Sequence, residues 1–458
     1  MLRSSQIVRN SKLFCQQQQQ HNCSKQWLAK RFSSTSIQSS YQHLSTRKQS
    51  FIPKSGIYPM GFRASGVAAN IKKNKNKDVA LIVSDTPCTA AAVFTTNKFQ
   101  AAPVIVSKET LSLNNDQIYA VVTNSGCANA VTGSQGLLDA QKMRSIVDEL
   151  VQQKNSALTM STGVIGQPLP MEKVERGIRN AYTELSADHQ EGWMKAAEAF
   201  MTTDTFPKLK SGEFKSSQEK SFRIAGIAKG AGMIHPNMAT LLGFMVTDAY
   251  VRPDLLKKAL THAVDRSFNS ISVDGDMSTN DTISVLANGQ SQVRIETEGR
   301  DYEVFRDTLT SFAAELAQLV VRDGEGATKF VTLHVKGCES FELAKKAASH
   351  ISTSMLVKSA LYGQDANWGR ICASLGHSGL DFDPAKVSVT FVPADGSENL
   401  KLMVKGEPET VDEERAAEIL KMEDLQIEVD LGLGKSETKF WTCDLSHEYV
   451  SINADYRS

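Results

Sequence analysis

Hydrophobic positions along this chain change period from segment to segment. Unbroken apolar runs rich in β-branched residues at 79–84 and 118–123 predict buried strands. Leu138, Met143, Ile146, Val147 and Leu150 recur at helical spacing and predict a helix over 137–151. Residues 171–201 keep a helical pattern, opening just after Pro170. The polar stretch 207–221 then reads as an exposed loop. An apolar run at 241–246 follows a Gly-rich segment. Further on, 253–268 predicts an amphipathic helix with Leu256, Leu260, Val264 and Phe268 on one face. The helix predicted over 302–320 is sharper, with Phe305, Leu309, Phe312, Leu316 and Leu319 spaced four and three apart. It should stop at Asp323-Gly324, with the glycine as C-cap. Strand-like runs recur at 282–287, 330–335, 387–392, 425–431 and 438–443. Strands and helices mix without the strict alternation of a doubly wound fold. The fold class predicted is α+β, with helices packed on mixed or antiparallel sheets. No repeat of 20–50 residues is apparent.

Charge divides the 458 residues unevenly. Basic and acidic residues balance at 51 each, so no global field draws nucleic acid or an anionic membrane. No apolar run approaches the roughly 20 residues that span a bilayer. Residues 1–50, however, hold no Asp or Glu, and the first acid is Asp78. The same stretch carries Arg3, Arg9, Lys12, Lys25, Lys30, Arg31, Arg47 and Lys48 among many Ser and Gln. A basic, Ser-rich, acid-free leader without an apolar h-region reads as a mitochondrial transit peptide, residues 1–32, removed near Arg31-Phe32-Ser33-Ser34. Residues 33–50 are then a polar extension, and the ordered protein begins near Phe51. The competing reading is a disordered tail, helped by the run Gln16 to Gln20. Outside the leader the cysteines are Cys88, Cys127, Cys338, Cys372 and Cys443, far apart and without C-x-x-C spacing. That argues against a disulfide framework or zinc site and fits a reducing compartment.

Candidate chemistry centres on the segment from Lys229 to Gly243, in which Ala239-Thr240 closes a Gly-rich loop and the apolar run begins at once. From periodicity alone, Thr240 opens a buried strand. Gly230 and Gly232 permit close backbone approach, and Pro236-Asn237 favours a tight turn. Such a turn can hold the Ala239 carbonyl near the Thr240 hydroxyl, allowing an N-to-O acyl shift. Hydrolysis of that ester frees the Thr240 α-amine, whose unperturbed pKa of about 7.7–8.0 suits a general base.

Other loops offer supporting groups. Thr162-Gly163 pairs a hydroxyl with a backbone N–H, suitable for an oxyanion hole or for an ordinary turn. Cys127 lies in a small-residue loop without a neighbouring His and reads as buried and inert. Thr202 to Thr205 reads as a capped helix end or a polar site loop. Glu325 sits between two glycines, where a carboxylate can reach a ligand ammonium group or stay solvated. Asp274, Asp276 and Asp281 invite a metal reading, but their spacing is not that of an EF-hand, so no metal is expected there.

Taken together these residues resemble the ornithine acetyltransferase family, also called bifunctional glutamate N-acetyltransferase/amino-acid acetyltransferase. The likeness runs from about Pro53 to the last residue through blocks at 124–130, 162–163, 203–205, 229–242, 272–282, 324–328 and 365–370. It implies cleavage between Ala239 and Thr240, giving an α chain over 51–239 and a β chain over 240–458. It implies that Thr240 takes acetyl from N-acetylornithine and passes it to glutamate in a ping-pong cycle. By the same resemblance Thr162 and Gly163 form the oxyanion hole, and Thr203, Lys229, Thr240, Glu325, Asn453 and Ser458 contact substrate. The mature protein would be a heterotetramer of two α and two β chains in the mitochondrial matrix, with no cofactor. Mitochondrial members also use acetyl-CoA as co-substrate to make N-acetylglutamate. Cys127 stands where many relatives have Asn, and Ser458 where Thr is frequent.

Two other readings compete. A self-processing amide hydrolase or aminopeptidase with an N-terminal nucleophile would share the acyl-enzyme but pass the acyl group to water. A matrix scaffold or binding protein would remain one uncut chain.

Overall fold

A computed structural model describes residues 41–186, 189–235 and 241–454. Ala239, Thr240, Ser458 and the whole of the expected transit segment lie outside the described residues. The chain divides into two units, Met1–Lys54 and Ser55–Ser458. In the first, a short helix, α1 (Thr46–Ser50), is capped by the Ser45 hydroxyl, which accepts from the Lys48 N–H.

The second unit carries the chemistry. Its largest described sheet is built around one long strand, β2 (Val79–Phe94). The first half of β2 pairs antiparallel with β1 (Phe62–Val67) and β3 (Ile118–Cys127). Its second half pairs antiparallel with β10 (Thr282–Ala287). The register shift between Val83 and Cys88 lets one strand serve both sets of partners. β4 (Ala157–Val164) runs parallel to β3, and β7 (Leu242–Thr247) runs parallel to β10. β6 (Ser221–Lys229) and the edge strand β5 (Lys208–Lys215) complete the order β4-β3-β2-β10-β7-β6-β5. β7 and β10 are buried at every position, which explains why both read as continuous apolar runs.

Helices cover this sheet. α2 (Ala102–Leu113) and α3 (Gly133–Val151) flank β4, and α4 (Met171–Thr183) and α5 (His189–Phe200) pack on β2. α6 (Pro253–Asp265) and α7 (Arg300–Arg322) lie against each other. The five apolar residues predicted for the 302–320 helix are all buried in α7. Phe305 meets Phe222 of β6 at 5.8 Å, and Phe312 meets Phe214 of β5 edge-on at 6.3 Å. Each buried ring contributes roughly 1.5–3 kcal/mol by removal from water.

A short parallel pair is formed by β8 (Tyr250–Val251) and β11 (Arg294–Ile295). A second sheet, which includes the short strands β9 (Ile271–Ser272), β14 (Leu400–Val404) and β15 (Glu407–Pro408), has the order β15-β14-β13-β16-β12-β17-β9 and mixes parallel and antiparallel pairs. Its inner strands are β12 (Phe330–Cys338), β13 (Ser388–Pro393), β16 (Asp424–Asp430) and β17 (Ser436–Cys443). α8 (Phe341–Thr353) packs on β12 and β17. α9 (Met355–Tyr362) and α10 (Trp368–Gly376) pack on α8, and α11 (Glu413–Lys421) adds Ile419 and Leu420 to the same core. α12 (His447–Ala454) ends the described chain. The architecture is α+β with mixed sheets, as the patterning predicts.

Several local expectations need correction. The 207–221 stretch is not an exposed loop but the β5–β6 hairpin, registered from Lys208↔Ala228 to Lys215↔Ser221. An edge strand with one solvated face needs few apolar residues, and its buried Lys208 is neutralised by ion pairs rather than by apolar chemistry. The 171–201 stretch forms two helices, not one. Leu138 is 58% exposed, off the face that buries Ala140, Met143, Ile146 and Val147. Phe268 is buried but belongs to a 3-10 turn, Phe268–Ser270, beyond the end of α6. α7 does stop at Arg322, yet Gly324 is not its left-handed cap: Asp323 holds the C-cap at φ −104°, and the first left-handed residue is Gly326 at φ +69°.

Candidate functional site

A cavity of about 300 Å³ opens where β4 and β6 end and β7 begins, lined also by the loop after α7 and by α12. Thr162, Gly163, Thr203, Lys229, Glu325 and Asn453 all line it. Leu241 and Leu242, the first described residues after Thr240, line it too. Six of the eight expected site residues, spread over nearly three hundred positions, therefore share one wall. The other two, Thr240 and Ser458, lie outside the described residues.

The oxyanion-hole candidates come from the end of β4. Gly163 has φ +126°, and a Cβ there would stand 2.4 Å from the Gly126 carbonyl carbon. Only glycine lets the ends of β3 and β4 approach so closely. Lys229 closes β6, and its Nζ donates to the Thr162 hydroxyl at 3.2 Å. Burial lowers the Lys229 pKa, against the opposing pull of Asp204.

Behind this lysine lies a charge network that sequence reasoning missed. Lys208 Nζ sits 2.5 Å from Asp204 Oδ1 and 2.7 Å from Asp323 Oδ2, with all three side chains fully buried. Burial opposes ionisation of Asp204, but Lys208 and Lys229 overcome it and hold the carboxyl well below its ordinary range. Burial likewise opposes the Lys208 charge, and the two aspartates outweigh it and raise the ammonium pKa. Asp204 also accepts from the N–H groups of Gly230 (2.8 Å) and Thr202 (2.8 Å), fixing the loops on either side of Thr203 and Lys229. Asp323 accepts from the Thr205 N–H and hydroxyl. The Thr202–Thr205 segment is thus more than a helix cap. Nothing in the sequence marks Lys208, which lies among Asp204, Lys210 and Glu213 in a stretch read as loop.

Glu325 faces the cavity from the turn after α7. Its N–H donates to Ala231 O at 2.8 Å, and Asn453 Nδ2 donates to its Oε2 at 2.8 Å. A Cβ on Gly232 would stand 2.3 Å from that same oxygen, so the glycine makes room for the carboxylate. Met233, at φ +60°, and Ile234 donate their N–H groups to Asp274 at 2.5 and 2.8 Å. Asp274 therefore ties down the loop at Met233 and Ile234. Among the described residues no group of three or more His, Cys, Asp or Glu side chains could hold a metal ion.

Two further residues were also singled out in the sequence, and Cys127 matches its reading. Cys127 is buried, its thiol pushed up by burial and directed at Pro168 O (3.7 Å), outside the cavity wall. Asp281, in the polar run 269–282 read as a hydrogen-bonded loop near the site, lines the cavity beside Asn280.

The chemistry available is acyl transfer. One wall offers a hydroxyl and a backbone N–H for an oxyanion. A cation and an anion stand ready for the two charges of an amino acid.

Comparison with known proteins shows the family. The sequence profile of the ArgJ family matches residues 63–458. The arginine biosynthesis bifunctional protein ArgJ, mitochondrial, of Sordaria macrospora is 55% identical over 428 residues, covering 90% of this chain and 91% of that one. The protein of the same name from Schizosaccharomyces pombe is 53% identical over 424 residues, covering 90% and 95%. Among solved structures, the arginine biosynthesis bifunctional protein argJ of Bacillus halodurans is 35% identical and covers 46% of this chain and 96% of that one, with a TM-score of 0.42. With a profile match across nearly all of the second unit and relatives above 50% identity over nine-tenths of its length, the chain belongs to the ArgJ family.

Proposed function

We propose that this chain is a self-processing acetyltransferase of arginine biosynthesis that moves acetyl from N-acetylornithine to glutamate. The observation that carries the reading is the single cavity wall holding Thr162, Gly163, Lys229, Glu325 and Asn453 together with Leu241, the residue bonded to Thr240. Cleavage between Ala239 and Thr240 makes Thr240 an N-terminal residue. Its α-amine then takes the hydroxyl proton as Oγ attacks the acetyl carbon. Thr162 and the Gly163 N–H stabilise the oxyanion, an interaction that strengthens as charge develops. Lys229 holds the substrate carboxylate, Glu325 with Asn453 holds the donor's ammonium group, and Thr203 and Ser458 complete the binding surface. Glutamate then attacks the acetyl-Thr240 ester. Acetyl-CoA serves as a second acetyl donor for N-acetylglutamate, and no cofactor takes part.

In the mature enzyme the leader 1–32 is gone and the fragments 51–239 and 240–458 remain together, two of each. Strand pairing supports this association. β6, before the cut, is registered with β7, after it, from Ile224↔Thr247 to Lys229↔Leu242. β2 and β10 pair across the cut as well. The relatives are named mitochondrial, and the acid-free leader supports the mitochondrial matrix for this chain.

The test uses purified protein. Mass spectrometry should find a fragment beginning at Thr240, absent from Thr240→Ala, and N-acetylornithine plus glutamate should yield ornithine and N-acetylglutamate. An uncut active chain would remove the mechanism. Release mainly of free acetate would favour the hydrolase reading.

A further inference from the structure

Lys229 and Glu325 have roles in the reaction proposed above; Asp281, the remaining ionisable side chain in the described cavity wall, has none. It directly precedes β10 and is 3% exposed. Among the described residues its Oδ2 has no hydrogen-bond partner. Ser278 and the Leu241 N–H hydrogen-bond to the carboxyl, so Oδ2 is the atom left to meet a further partner.

Its position is fixed from both sides. Asn280 Nδ2 donates to Ala128 O (2.6 Å) and Ser161 O (2.8 Å), clamping this segment beside Thr162-Gly163. On the other side the Thr282 N–H donates to Leu241 O at 3.2 Å, and the Leu241 N–H reaches the Asp281 carboxyl. Asp281 thus stands between the oxyanion donors and Leu241, the residue bonded to Thr240, on the side of the cavity where the proposed reaction puts the acyl group. The charges that face it are Lys229, from the end of β6, and Glu325, across the cavity. Burial raises its pKa well above the ordinary carboxylate value, with Lys229 and hydrogen bonds from Ser278 and Leu241 only partly opposing, which favours the protonated acid.

We infer that Asp281 is the acid–base residue at the reacting nitrogen, protonating the amine that leaves and deprotonating the amine that attacks. The inference rests on the acetyl-transfer reading above. In the first half-reaction Oγ of Thr240 bonds to the acetyl carbon and its proton passes to the Thr240 α-amine. The C–N bond of the donor then breaks, its electron pair stays on nitrogen, and the Asp281 carboxyl supplies the proton that makes a neutral amine. In the second half the neutral amine of glutamate bonds to the acetyl carbon, and the Asp281 carboxylate takes a proton from that nitrogen. The C–Oγ bond breaks and the α-ammonium returns its proton to Oγ. Both groups regain their starting state.

The experiment compares donors that differ in their need for an acid. N-Acetylornithine expels an amine that must be protonated, whereas p-nitrophenyl acetate expels a stable phenolate. With the mature enzyme, Asp281→Asn should slow acetyl transfer from N-acetylornithine by about 100-fold or more. It should leave acetylation by p-nitrophenyl acetate within about threefold of wild type, and Asp281→Glu should recover part of the loss. Equal loss with both donors would overturn the assignment. If Asp281→Asn fails to mature, wild-type pH profiles decide: the rate with N-acetylornithine should fall on the alkaline side where that with p-nitrophenyl acetate does not. Coincident profiles would overturn it. A wild-type enzyme that transfers no acetyl group to glutamate would instead refute the acetyl-transfer reading itself.

Discussion

Replacing Lys208 by Met tests the buried network directly. The ammonium group lies 2.5 Å from Asp204 and 2.7 Å from Asp323, with no exposed side-chain surface on any of the three. At an effective dielectric constant of about 20, each contact is worth about 6 kcal/mol of attraction. Desolvation of the three ions offsets most of this, at several kcal/mol per ion. Removing the lysine cancels the attraction but not the cost of the buried carboxylates, so the expected loss is about 3–5 kcal/mol near pH 7.

The pH dependence fixes the sign. Asp204 has a depressed folded pKa, so its contribution is present above its unfolded value of about 3.9 and is lost as pH falls through the folded value. Lys208 has a raised folded pKa, so its contribution is complete below about 10.4 and is lost as pH rises through the folded value. Wild type should therefore hold the full benefit between about pH 4 and 10. In the methionine variant the Asp204 carboxylate loses the partner that holds its pKa down and takes up a proton more readily, so the deficit should shrink from about pH 7 to about pH 5. Urea unfolding of the mature variant and wild type at those two pH values measures it. A loss under about 1 kcal/mol, or a deficit unchanged with pH, would refute the reasoning.

Three further outcomes follow from the cavity. Glu325→Gln keeps the bond from Asn453 but removes the charge, and should raise KM for N-acetylornithine about tenfold, read from initial rates, while KM for glutamate stays level or falls. Gly232→Ala places a Cβ against Glu325 Oε2 and should weaken donor binding in the same way, with kcat for p-nitrophenyl acetate retained. Gly163→Ala forces a side chain onto the Gly126 carbonyl at a left-handed position and should cut kcat about 100-fold or more, with KM little changed in steady-state assays.

The fold was legible where one pattern dominated. α7 buries the five residues that its spacing marked, and β7 and β10 are continuous apolar runs because both faces are covered. It was illegible where tertiary pairing replaced apolar chemistry, as at Lys208 on the β5 edge. The cavity residues were legible only through the family resemblance, because Thr162-Gly163 and Glu325 are locally ordinary turn residues. Asp281 shows the limit from the other side. A carboxylate in a polar run carries no mark of burial, and the missing partner of its Oδ2 exists only in three dimensions.

The cavity also suggests how one site can serve two amino acids of opposite side-chain charge. On the proposed reaction, donor and acceptor share an α-carboxylate and the α-nitrogen that loses or gains the acetyl group. They differ at the far end, cationic in ornithine and anionic in glutamate. Lys229 donates to the Thr162 hydroxyl, beside the reacting carbon, and so reads the shared part. Glu325 is anchored from α12 through Asn453 and reads the part that differs. An anion there favours the donor and disfavours the acceptor, so the first half-reaction is bound more tightly than the second. Glu325→Gln should therefore lower the preference for N-acetylornithine relative to glutamate, which places the discrimination in one carboxylate and its glycine-made clearance at position 232.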